Sequence, residues 1–153
     1  AVILSASDNL GILSTHIHSD GKFENLLHVP KKNDSSLGDT IEMQGSQVFK
    51  MAVNTLDKIV DETLLANNLQ KKDIDWLVPH QANIRILEAT ARKLDMDMSK
   101  VIVTIDKHGN TSAASIPLAL DQGVKENKIK PGNLILMEAF GGGFTWGSAL
   151  IRF

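Results

Sequence analysis

The segment from Leu134 to Ala139 constrains this chain more than any other. Pro131-Gly132 turns the backbone into it and Gly141-Gly142-Gly143 follow it; between them runs a continuous apolar stretch of the kind a central buried strand shows. Side chains alternate between the two faces of a strand, so one that is apolar at successive positions needs cover on both sides. That requirement points to a layered domain. Trp146 to Phe153 reads as a further strand that closes the chain.

The preceding segments supply the layers. Residues 1 to 7 read as a short apolar strand and Gly11 to Asp20 as a second, joined by a turn at Ser7-Asp8-Asn9 and paired antiparallel. In the second, Leu13, Thr15 and Ile17 take one face while Ser14, His16 and His18 take the other, the period of a half-buried strand. Residues 30 to 46, with Pro30, Asn33-Asp34-Ser35-Ser36 and Gly38, are turn formers without periodicity and read as a surface loop. Val48, Ala52, Leu56, Ile59, Val60, Thr63 and Leu64 form the buried stripe of a long helix that stops at Asn67-Asn68. A strand from Asp75 to Pro79, a helix from Ile84 to Leu94 and an extended stretch from Val101 to Ile105 come next. Pro117 is tolerated only in a first turn, so the third helix starts at Ala114 or Ser115 and runs to Asn127. This alternation predicts an α/β domain built on a mixed, mostly five-stranded sheet with helices packed on its faces.

At 153 residues, 42% hydrophobic and 22% charged, the chain fits one domain, residues 1–153. A net charge of −2 supplies no global field for nucleic acid or an anionic membrane, so an anionic partner must meet a local basic patch. The absence of cysteine excludes a disulfide framework and thiolate zinc sites. No apolar run approaches the roughly 18 residues of a membrane span, and cytoplasmic residence is the expectation. A start in a β-forming run without methionine reads as a piece excised from something longer.

Three segments carry candidate chemistry. His80 sits where an apolar strand ends and a helix is about to begin, the place where ligands collect in open α/β sheets. The nearby helix N-terminus disfavours imidazolium, so His80 is expected to be neutral and able to donate one N–H. Asn110, at a helix entrance, is either a cap for backbone N–H groups or a second donor that never titrates. Gly141-Gly142-Gly143 is either a tight turn or a bare backbone that lets main-chain N–H groups approach a ligand. It has neither the G-x-G-x-x-G nor the G-x-x-x-x-G-K-[ST] spacing, so a nucleotide-phosphate cradle is not expected.

His16 and His18 share a strand face, yet no third ligand is placed by sequence; they read as solvated edge residues, and no metal site is expected. Lys50, Arg85, Arg92 and Lys93 are a solvated helix surface or, where Lys50 and Arg85 flank the His80 pocket, a grip for phosphate or an acidic protein.

Taken together, Val78-Pro79-His80-Gln81-Ala82-Asn83, His108-Gly109-Asn110-Thr111-Ser112-Ala113-Ala114-Ser115 and Glu138-Ala139-Phe140-Gly141-Gly142-Gly143-Phe144-Thr145-Trp146-Gly147 closely resemble the β-ketoacyl-acyl-carrier-protein synthase III family. The resemblance runs over the whole chain and corresponds to the C-terminal half of that family's thiolase-like fold. It implies a decarboxylative Claisen condensation that starts type II fatty acid synthesis: acetyl-CoA acylates a cysteine, and malonyl-acyl carrier protein loses carbon dioxide and attacks it. On this resemblance His80 and Asn110 hold the malonyl thioester carbonyl, and Gly142 supplies a backbone N–H to the tetrahedral oxyanion. Gln81, Ala82, Asn83, Ile84 and Arg85 match the acyl-carrier-protein-binding segment, with Arg85 as its ion-pairing member. Gly45, Phe49 and Asn83 match positions along the coenzyme A pantetheine arm. Coenzyme A enters as a thioester substrate, and no cofactor is implied.

The family's nucleophilic cysteine belongs to an N-terminal half absent from this sequence. Ser112 and Ser115 are poor substitutes, because neither lies in a G-x-S-x-G elbow with a dedicated base. The chain alone is therefore expected to be inactive, to leave an apolar face where its other half packs, and to work within a homodimer of complete subunits. The competing reading is a non-catalytic module that binds carrier protein or pantetheine. A metal-dependent hydrolase using His16, His18 and His80 lacks ligand spacing.

Overall fold

The computed structural model describes residues 2–9, 11–30 and 40–153. A four-stranded mixed sheet has the order β1 (Ile12–Ser19), β6 (Thr145–Arg152), β5 (Leu134–Gly141), β4 (Trp76–Pro79). β1 and β5 both run antiparallel to β6, and β4 runs parallel to β5. β2 (Leu27–His28) and β3 (Glu42–Met43) form a separate two-stranded ribbon. The helices are α1 (Gly45–Ala66), α2 (Ile84–Lys93), the single turn α3 (Ile105–His108) and α4 (Ser115–Lys125).

The apolar runs divide between two layers as strand alternation requires. Leu77, Leu134, Leu136 and Leu150 pack under Val60 and Leu64 of α1 and Ala91 of α2. Val78 and Ile135 point the other way, against Ala119 of α4 with Ile102 and Ile129. α1 ends where Asn67 donates its N–H to the Leu64 carbonyl and Asn68 takes a φ of 55°, a left-handed turn that asparagine tolerates. Pro117 falls in the first turn of α4, where its missing N–H costs nothing. Among the described residues no helix is long and apolar enough to cross a membrane.

Three expectations need correction. Residues 2–7 form no strand and do not pair with β1; Ile3 is 96% exposed, with no described strand beside it to share its backbone bonds. The expected fifth strand after α2 shrinks to one parallel bridge, Leu77 to Val101, followed by an Ile102 N–H bond to the Leu77 carbonyl at 2.9 Å. Val101 and Ile102 are both buried, and at about 1.5–3 kcal/mol per large side chain their packing outweighs the short ladder in holding that segment. The predicted loop at 30 to 46 lies partly outside the described residues, but its end folds back as β3 against β2.

Candidate active site

The carboxyl ends of β4 and β5 seat the imidazole. The His80 N–H donates to the Glu138 carbonyl at 2.8 Å, which carries the parallel ladder one residue past Pro79. Gln81 then lets the chain leave the sheet. Its amide donates to the carbonyls of Pro79 and Ile102 at 2.9 and 3.1 Å, and its oxygen accepts from the Thr104 N–H at 2.8 Å. With no exposed surface, Gln81 cannot meet a docking protein; it is a staple, not part of a carrier-protein surface.

The His80 ring is half-buried, with the Phe140 ring edge-on at 5.9 Å. Its Nδ1 lies 2.6 Å from the Ser115 hydroxyl, which also accepts from the Gln81 N–H at 3.2 Å. With the hydroxyl proton given to Nδ1, the neutral ring carries its N–H on Nε2. Burial lowers the His80 pKa below the usual imidazole value, so the ring is neutral at pH 7. Neutrality was expected from a helix N-terminus; burial is its cause.

Asn110 combines both of its readings. Its side-chain oxygen accepts from the Ser112 N–H at 3.0 Å, a local cap, and its NH2 group keeps its two donors. Gly109 at a φ of 66° and Ser112 at 51° bend the backbone on either side of it. Gly142 is glycine for a steric reason: a Cβ there would sit 2.8 Å from the Leu27 carbonyl oxygen. The glycine loop therefore lies directly against β2.

His80, Asn110, Gly142, Gly45, Phe49 and Asn83 all line one open cavity of about 1370 Å³. Asn83 also caps α2, accepting from the Ile86 N–H at 3.1 Å. Ala82 lines the cavity too, whereas the exposed Ile84 and Arg85 lie outside its wall on the first turn of α2. Lys50, like Arg85, is not among the residues that line it. The His16 and His18 pair is not merely solvated: Glu62 of α1 meets His16 Nδ1 at 3.2 Å and His18 Nε2 at 2.8 Å. Among the described residues no group of three or more His, Cys, Asp or Glu could hold a metal ion.

With this geometry in place, residues 64–153 match the family described as 3-oxoacyl-[acyl-carrier-protein] synthase III, C terminal. The chain belongs to that family. It is 62% identical, over 159 aligned residues, to the β-ketoacyl-[acyl-carrier-protein] synthase III of Thioalkalivibrio sulfidiphilus, covering 100% of this chain and 49% of that protein. The synthase III of Escherichia coli O1:K1 / APEC is 58% identical with the same coverage. The solved 3-oxoacyl-[acyl-carrier-protein] synthase III from Aquifex aeolicus VF5 superposes with a TM-score of 0.89 at 42% identity, covering 97% of this chain and 46% of that one. The chain spans about half the length of the curated relatives it matches. Its α/β class is the thiolase-like one of these synthases.

Two residues of the candidate site escaped sequence reasoning. Ser115 was weighed only as a nucleophile, and Gln81 only as a surface contact. A serine at a helix start facing a strand-end histidine is a pairing across 35 residues, which no local pattern displays.

Proposed function

We propose that the protein carrying this chain is a β-ketoacyl-acyl-carrier-protein synthase III, and that this chain provides its C-terminal, oxyanion-stabilising half. The observation that carries the reading is the opening of His80, Asn110 and Gly142 onto one cavity from three separate strand and loop ends. Two neutral donors, the His80 Nε2 proton and the Asn110 NH2, suit a malonyl thioester carbonyl. As the carboxylate leaves as carbon dioxide, its electron pair passes into the thioester and the carbonyl oxygen becomes an enolate. Donors already in place stabilise that charge without reorganisation. The enolate carbon then attacks the acetyl thioester on a cysteine of the other half, and the Gly142 N–H meets the second oxyanion.

The pantetheine arm passes Gly45, Phe49 and Asn83, and the acidic carrier protein docks on Ala82, Asn83, Ile84 and Arg85. A cytoplasmic homodimer of complete subunits is the working form. Exposed apolar side chains, among them Ile17 at 86% on β1, support a face made to be covered. The test is condensation of labelled acetyl-CoA with malonyl-acyl carrier protein by this chain with and without the N-terminal half. Activity only from the complete protein is expected; turnover by the chain alone would overturn the division of labour. Carrier-protein binding without condensation in both forms would favour the binding-module reading.

A further inference from the structure

Glu138 is a buried acid that the proposed chemistry does not use. It sits on β5 between Leu136 and Phe140, with 1% of its surface exposed. Neither carboxyl oxygen has a hydrogen-bond partner, and the hydroxyl of Thr90 on α2, which faces it, completes no bond either. In such a place a carboxylate is far more costly than a neutral acid.

The packed elements reinforce this. From α1, Asp57 sets a second negative charge near Glu138, although Lys93 of α2 pairs with that aspartate at 3.2 Å. From β6, Ser148 lies across the ladder, its hydroxyl already engaged with Thr63 of α1 at 2.6 Å. From β4, the residue in register is Pro79, which has no N–H to offer. Burial above all, and Asp57 after it, against the Thr90 hydroxyl, raises the Glu138 pKa to about 8.

The main chain of the same residue reaches the site. Its carbonyl holds the His80 N–H at 2.8 Å, and Gly141, where the glycine loop begins, is three positions further on. We propose that Glu138 is a positioning residue: as a neutral acid, its side chain seats the end of β5 between α1 and α2, and this fixes the spacing between the His80 ring and the Gly142 N–H. The inference rests on the reading that those two groups serve one reaction. Ionisation would place an unmatched charge in the seat, and the strand end would shift to relieve it.

The test uses the complete protein carrying this chain, with E138A and E138Q. The glutamine keeps the shape and a donor but cannot ionise. E138A is expected to lower kcat about 10²-fold with KM nearly unchanged, the scale of an ångström-sized misplacement, and E138Q to restore it. Above pH 8 the wild type should lose rate about tenfold per pH unit, and E138Q should not. An infrared band of a protonated carboxyl should be present at pH 6, absent in E138Q, and bleach with the same midpoint as a shift of the His80 amide in nitrogen NMR. Coincident pH profiles for wild type and E138Q, or no such band, would overturn the proposal. The two readings fail separately: a protein without condensing activity sinks the function, whereas the band and the amide shift decide the role of Glu138 without substrate.

Discussion

The His80 side of the cavity and its hairpin side are held by different means. On the first, Gln81, Ser115 and the Glu138 carbonyl lock two strand ends and a helix start together through six hydrogen bonds between 2.6 and 3.2 Å, the His80–Ser115 pair and the Gln81 N–H among them. On the second, β2 and β3 are two residues each, tied to α1 through Gln44, whose N–H and side-chain amide donate to the carbonyls of Leu26 and Asn25. Ile41 and Met43 there are 73% and 61% exposed. A rigid wall that presents donors and a thin wall with uncovered apolar side chains suit a site of which only part is prebuilt. Donors must hold their geometry within a fraction of an ångström, while a wall that receives another surface needs apolar area more than stiffness.

The comparison is tested most severely by removing the donors. In the complete protein, His80→Ala or Asn110→Ala should each lower malonyl decarboxylation by about 10²–10³-fold, near 3–4 kcal/mol of transition-state stabilisation, with the fold intact by circular dichroism. A loss below tenfold for both would mean that the rigid wall is rigid for some other reason. The next effect in size is structural. Gln81→Leu leaves the Thr104 N–H and the Pro79 and Ile102 carbonyls unpaired in the interior, which should reduce unfolding free energy in urea by about 3 kcal/mol. Met43→Ala, on the thin wall, should change it by less than about 1 kcal/mol. Similar values for the two would erase the contrast.

A smaller effect separates the walls by pH. The folded pKa of His80 lies below its unfolded value near 6.5, because burial disfavours the charged ring. Its contribution to stability is therefore present above about pH 6.5 and is lost as acid drives the unfolded chain to take up the proton first. Between pH 7 and 5 the wild type should lose stability relative to His80→Asn, read as the difference between two urea titrations. Parallel curves would show that the ring is not held neutral by the wall.

These cases also show what the chain discloses before it folds. Strand and helix patterns are local, so Leu134 to Ala139, the α1 stripe and the turn at Pro117 could be read at their right places. So could His80, Asn110 and the glycine loop, because each sits at the end of a strand or the start of a helix. Residues 2–7 misled because an apolar run states that a strand is favourable and not which strand will lie beside it. Gln81 misled for a related reason: a polar side chain after a histidine gives no sign of whether it faces solvent or three buried backbone groups. Glu138, set in an apolar run, passed as part of a motif, since burial of a carboxyl depends on layers contributed from positions far along the chain.

The smallest expected effect concerns the edge farthest from the rigid wall. Glu62 bridges His16 and His18, and its pKa is lowered chiefly by the hydrogen bond from His18, yet its side chain is 43% exposed and that of His18 is 41% exposed. Solvent screens such pairs, so Glu62→Ala should cost about 0.5 kcal/mol or less at pH 7. Its lowered folded pKa means that this small contribution is present above about pH 4.5 and vanishes as pH falls further. Added salt should shrink it as well, by screening the exposed cluster. A loss of 2 kcal/mol or more, unaffected by salt, would show that β1 is anchored as firmly as β4, and the molecule would have no soft side to contrast with its firm one.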